Sequence, residues 1–306
     1  MKTRTNEKIR SSRHSFGCLI ATSAVLLSVV SASAQNLFVS EIFNDDIVEF
    51  TPSGAESTFA TGLFLNDIAV NSAGDVFAAT PSLAGPNDGT ITEITPGGHQ
   101  STFASGLNNP YRMAFDSSGN LYVNSYETGV ITKITPSGVE STYASGLNGP
   151  SGMAFNQAGV LFVGEVGTKQ IAEIQPNGTV SIFANNVDIP TGLVFNNAGQ
   201  LFVGSSANIE EFQPNGSRST FASGFGMAEG LAFNNAGNLF AADYFGDTIT
   251  EFSPNGQATA FASGLSAPFG VVFEPIPEPN VLRLMAAGLF AVCLFRTRPR
   301  TRKALV

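Results

Sequence analysis

A Pro-x-Gly turn recurs six times in the chain, with glycines at Gly54, Gly98, Gly138, Gly178, Gly216 and Gly256, separated by 44, 40, 40, 38 and 40 residues. An Ala-Gly or Ser-Gly turn recurs five times, at Gly74, Gly119, Gly159, Gly199 and Gly237, and short β-rich runs lie between the turns. Together these observations predict an all-β fold: a six-bladed β-propeller of four-stranded blades, closed by a composite blade drawn from both ends of the domain.

The strands follow from alternation of β-branched and aromatic runs with turn residues. In the fourth copy they are Met153-Ala154-Phe155, Leu161-Phe162-Val163, Ile171-Ala172-Glu173-Ile174 and Val180-Ser181-Ile182-Phe183. A lone sheet of this size leaves both faces bare, whereas radial stacking covers each face with the next sheet and protects most edges. The copying of one motif also explains the skewed composition of 26 Phe, 32 Gly and no Trp. The absent sixth copy of the Ala-Gly turn predicts how the ring closes. The repeats begin at Leu37-Phe38-Val39, a second-strand sequence, and the missing first strand is Gly270-Val271-Val272-Phe273 at the other end.

The two ends read as addresses, dividing the chain into 1–34, 35–275 and 276–306. Basic residues from Lys2 to Arg13, an apolar stretch from Cys18 to Val30 and the small residues Ser31-Ala32-Ser33-Ala34 have the order of a cleavable secretory signal. At the C-terminus Pro277-Glu278-Pro279 precedes an apolar run from Leu284 to Phe295 and then a cluster of arginines. The two cysteines, Cys18 and Cys293, lie in these end segments, so the repeat region has no thiol or disulfide chemistry. Between Gln35 and Leu282 four basic residues face 23 carboxylates, a formal charge of −19. Such a domain repels phosphate backbones, which argues against nucleic acid and favours cations or cationic partners.

Candidate chemistry concentrates on the face formed by the second-to-third and fourth-to-first loops, which vary between copies; the opposite face is built from the near-invariant hairpin turns. The residues just past the second strand are Glu41, Thr80, Ser125, Glu165, Ser205 and Asp243. Three carboxylates in alternate blades suit a hard cation such as Ca²⁺ or another divalent ion at the mouth of the axial channel, or else cap loop amides. The residue before the innermost strand is glycine at 152, 192, 230 and 270 but Asp67 and Arg112 in two adjacent blades, with Tyr111 and Glu229 beside them. These four form a candidate ligand-binding set, with an Asp67–Arg112 ion pair as the alternative. The insertion Pro81 to Gly89 is placed to form a lip over the same face. His99, the one histidine outside the N-terminal segment, sits in a turn of the opposite face, and no catalytic residue is assigned.

The repeat resembles the NHL repeat and the wider group of gluconolactonase-like, strictosidine synthase-like and virginiamycin lyase-like propellers, through Asn120-Leu121-Tyr122-Val123-Asn124 and Asn238-Leu239-Phe240-Ala241-Ala242-Asp243. The gluconolactonase-like resemblance implies a divalent metal at the channel mouth; the lyase-like route needs a histidine base that this face lacks. The C-terminal segment resembles the PEP-CTERM sorting signal of Gram-negative bacteria. That resemblance implies an exosortase-type membrane peptidase as partner, a transient anchoring of the tail in the inner membrane, and delivery to the cell surface or exopolysaccharide matrix. The expected function is a non-enzymatic propeller binding a small molecule, glycan or surface protein; the alternative is a metal-dependent lactonase-like hydrolase using Glu41, Glu165 and Asp243.

Overall fold

The computed structural model describes residues 35–83 and 85–276; the proposed signal peptide and Pro277-Glu278-Pro279 with its following tail lie outside the described residues. All regular structure among these residues is β, arranged as six four-stranded antiparallel sheets. Blade 1 joins β24 (Pro268–Phe273) to β1 (Leu37–Glu41), β2 (Asp46–Phe50) and β3 (Glu56–Thr61). Blade 2 holds β4 (Ile68–Val70), β5 (Val76–Thr80), β6 (Gly89–Ile94) and β7 (Gln100–Leu107); blade 3 holds β8 (Pro110–Phe115), β9 (Leu121–Ser125), β10 (Val130–Ile134) and β11 (Glu140–Ala144). Blade 4 is β12 (Pro150–Phe155), β13 (Leu161–Glu165), β14 (Gln170–Ile174) and β15 (Val180–Asn185). Blade 5 is β16 (Leu193–Phe195), β17 (Leu201–Gly204), β18 (Asn208–Phe212) and β19 (Arg218–Ser223). Blade 6 is β20 (Ala228–Phe233), β21 (Leu239–Asp243), β22 (Thr248–Phe252) and β23 (Ala258–Ser263).

The repeated turns work through side-chain capping. At each first-to-second turn an Asn or Asp (Asn71, Asp116, Asn156, Asn196, Asn234) accepts, on Oδ1, the amides two and four residues ahead. The Pro-x-Gly hairpins place a glycine at positive φ, as at Gly138 (φ 80°), where its N–H reaches the Thr135 carbonyl at 2.8 Å.

The composite blade closes as the missing turn predicts. β24 pairs with β1 in the register Leu37–Phe273, Phe38–Val272 and Val39–Val271. Where the sixth turn would be, the Glu274 amide donates to the Asn36 carbonyl at 2.9 Å, and Gln35 accepts the Asn235 amide of blade 6 at 2.9 Å.

The copied phenylalanines meet between blades. Each second-strand ring packs edge-on against its own fourth-strand ring and the first-strand ring of the next blade: Phe77 with Phe103 and Phe115, Tyr122 with Tyr143 and Phe155, Phe162 with Phe183 and Phe195. Phe202 with Phe221 and Phe233, and Phe240 with Phe261 and Phe273, repeat the arrangement, all at centroid distances of 4.8–5.1 Å. Between blades 1 and 2 Phe38 keeps Phe59, and Val70 occupies the sequence position of the third ring. Each such pair adds about 0.5–1.5 kcal/mol beyond its burial. Phe162→Ala, which removes the shared ring of one triad, should therefore cost about 3–5 kcal/mol in denaturant unfolding. A loss below about 1 kcal/mol would show that the triads do not join the blades.

Candidate functional site

Around the axis the innermost strands approach too closely for side chains at most blades. A Cβ at Gly152, Gly192 or Gly230 would overlap the carbonyl oxygen of Thr191, Glu229 or Phe269 in the following blade, and one at Gly270 would crowd Asp67. Asp67 and Arg112 are the exceptions in this ring, and both are buried.

Arg112 of blade 3 reaches across the axis. Its Nη1 donates to Asp67 Oδ1 of neighbouring blade 2 at 3.2 Å, and its Nη2 pairs with the Glu229 carboxylate of blade 6, on the opposite side of the ring. Nη2 also donates to the Glu229 carbonyl at 3.3 Å, and the guanidinium lies 3.6 Å over the Phe269 ring of blade 1, with Tyr111 at 5.7 Å. Asp67 Oδ2 accepts the Met113 amide at 3.0 Å, and Asn124 accepts the Arg112 amide while donating to the Ser151 carbonyl of blade 4. One side chain thus contacts blades 1, 2 and 6 from its own blade. Arg112 Nε and Ser151 Oγ have no hydrogen-bond partner among the described residues. A cavity of about 140 Å³ borders the cluster, lined by its three charged side chains and by Met113, Met153, Leu193 and Leu231.

The cluster holds two acids for one base. Burial pushes the Asp67 and Glu229 carboxyls up, and Arg112 offsets this only in part. Burial works to lower the Arg112 pKa, but the two carboxylates outweigh it and hold the guanidinium above its ordinary range. Burial also pushes the Tyr111 hydroxyl up to about 12. The sequence-predicted set Asp67, Tyr111, Arg112 and Glu229 is therefore brought together. Its three charged members pair with one another through the two Arg112 Nη atoms, leaving Nε unpaired, and Tyr111, half-buried, is the member nearest solvent.

Glu41, Glu165 and Asp243 are not gathered. Among the described residues no group of three or more His, Cys, Asp or Glu is placed to hold a metal ion. Each carboxylate instead ties down the loop that leads into its own blade. Glu41 accepts the Ser266 amide at 2.6 Å and Asn44 Nδ2 at 3.1 Å; Glu165 accepts the Asn148 amide at 2.7 Å and the Thr168 hydroxyl at 3.2 Å. Asp243 accepts the amides of Gly226, Met227 and Gly246 at 2.9–3.1 Å. The residues present do not fit the implied cation, because the oxygens that would coordinate it are turned to loop amides in separate blades. Beside Glu41, burial and then the Glu41 carboxylate push Asp46 up to about 6.

In the Pro81–Gly89 insertion, Ser82 is tied to the end of β7 and the loop that follows it: its Oγ donates to the Leu107 carbonyl and accepts the Asn109 amide at 3.0 Å. Sequence reasoning missed an aromatic chain above the axis. Phe43 and Phe245 both pack on Tyr244; Tyr244 meets Phe269 at 6.2 Å, Phe269 meets Tyr111 at 5.6 Å, and Tyr111 meets Tyr126 at 5.6 Å. Phe43, Tyr126, Tyr244 and Phe245 stand in second-to-third loops, outside the repeat consensus, and that departure is the signal that could have revealed them.

These features define a closed six-bladed propeller with an ion cluster on its axis. No protein-family model and no curated sequence matches the chain. Solved structures do match its fold. A chain of a nidogen/laminin complex superposes with a TM-score of 0.71 at 16% identity, over 80% of this chain and 100% of that one. Virginiamycin B lyase from Staphylococcus aureus gives 0.54 at 18% identity, over 76% and 77%. A Bacteroides caccae protein of unknown function gives 0.61 at 14% identity, over 79% and 99%. At these identities the likeness is one of fold.

Arg112→Met should destabilise the domain by about 3–5 kcal/mol at neutral pH, because two buried carboxylates lose their counter-charge. Their pKa values are already raised, so the folded state of the variant binds protons more tightly than the unfolded chain, and its deficit should shrink as pH falls toward the unfolded carboxyl range. A deficit independent of pH in urea melts would contradict this electrostatic account.

Proposed function

We propose that the chain is an exported surface or matrix propeller acting as a non-enzymatic interaction module, with its variable-loop face as the binding surface. The observation that carries this reading is the distribution of exposed apolar side chains. Phe43, Phe64, Leu83, Tyr126 and Phe245 all belong to loops of that face, whereas the exposed Val139, Val180 and Ile182 lie on the outer strands and turns of two blades. Large exposed apolar groups gathered on one face of a soluble domain mark interaction surfaces. Export and sorting rest on residues 1–34 and on the Pro277-Glu278-Pro279 tail, which support processing by an exosortase-type peptidase and a stage in the inner membrane.

The hydrolase alternative asks Glu41, Glu165 and Asp243 to share a cation, and their loop hydrogen bonds speak against it. The lyase alternative needs a base at the channel mouth, and His99 stands exposed in a hairpin turn of the opposite face. Purified protein assayed on aliphatic and sugar lactones should show no turnover with Ca²⁺ or with chelator. Cation-dependent hydrolysis that is lost in Glu41→Gln, Glu165→Gln or Asp243→Asn would overturn the non-enzymatic reading.

A further inference from the structure

The partner class can be narrowed, an inference that rests on the variable face being the binding surface. We propose that this face takes a basic polypeptide segment, whose guanidinium or ammonium groups lie on the aromatic chain that crosses the axis.

Three observations lead there. First, the rings are continuous and open: Phe43 is 72% and Phe245 66% exposed, and both are joined through Tyr244, Phe269 and Tyr111 to Tyr126. Second, the loops around them are acidic and offer no free cation among the described residues. Asp45, Glu127 and Asp247 stand in the same second-to-third loops as Phe43, Tyr126 and Phe245. Lys169 is paired with Asp188 at 2.6 Å, and Arg112 is buried. Third, the aromatic chain already holds one guanidinium, since Arg112 sits 3.6 Å over the Phe269 ring with Tyr111 at 5.7 Å. Rings flanked by carboxylates favour cations through the ring quadrupole and the surrounding field together, and Arg gains most because it stacks while its edges reach carboxylates. An acidic segment meets repulsion from Asp45, Glu127 and Asp247 in the same three blades that carry the rings, so charge sets the sign of the partner and the rings set its position.

The test is calorimetric titration of the mature protein with a dodecapeptide of alternating Arg and Gly, with a Glu–Gly dodecapeptide and maltohexaose as alternative ligands. Phe43→Ser/Phe245→Ser, two exposed positions whose change spares the core, should weaken binding of the Arg peptide by about tenfold or more. Asp45→Asn/Glu127→Gln should weaken it and flatten its salt dependence. Val180→Ser/Ile182→Ser and Glu140→Gln/Glu251→Gln, away from this face, should leave it unchanged. Failure of the Arg peptide to bind, or binding indifferent to Phe43 and Phe245, overturns the proposal. Ring-dependent binding of maltohexaose or the Glu peptide instead would keep the variable face as the binding surface and overturn the cationic assignment alone.

Discussion

A four-stranded blade cannot cover its own two apolar faces, and everything else in this fold follows from that constraint. Each sheet needs a neighbour on both sides, so the row of sheets is stable only as a closed circle. Five of the six junctions within blades come free with chain continuity, because the first strand runs through a capped turn into the second. The sixth does not. Pairing of β24 with β1, the Glu274–Asn36 hydrogen bond and the Gln35 contact to blade 6 perform the task that Asn156-Gln157-Ala158-Gly159 performs covalently in blade 4. Ring closure is therefore a tertiary event joining residues more than two hundred positions apart.

Closure also explains the axis. Six inner strands meeting at one line leave room for backbone and little else, hence glycine at positions 152, 192, 230 and 270. Two adjacent blades break the rule, and the side chains they introduce occupy the shared space with charge. A buried Arg with two carboxylates is not a cheap source of stability, since desolvation offsets much of the attraction. Its effect is geometric: Arg112 can satisfy Asp67, Glu229 and the Phe269 face at once only when blades 1, 2, 3 and 6 are in register. The rigid floor so formed carries the aromatic chain and the acidic loops above it.

Much of this was legible in the sequence because repetition exposes deviation. The orphan strand at Gly270 shows in the count of turns, and Asp67 and Arg112 in their departure from glycine in an otherwise constant column. Glu229 and Tyr111 were placed at the right level by the same alignment. Alignment of repeats fixes the height of a residue in its blade but not the direction of its side chain. That is why Glu41, Glu165 and Asp243, equivalent in height, were expected to face one another when they turn to loop amides instead. Phe43 and Phe245 are hard to single out for another reason: among 26 Phe, these two are marked only by standing outside the repeat consensus, and the folded ring is what brings them to Tyr244.

The central claim is that the ring is one cooperative unit whose non-covalent seam is as firm as its continuous blades. Native-state hydrogen exchange tests it directly, by comparing amides of β24 and β1 with those of β12 and β13, which form the corresponding pair within a continuous blade. The account predicts that both pairs exchange only through global unfolding, with equal free energies and equal denaturant dependence. Exchange of β24 and β1 through a smaller, denaturant-insensitive opening while β12 and β13 stay protected would contradict it, because the propeller would then be an open row of blades held at its ends by a weak clasp.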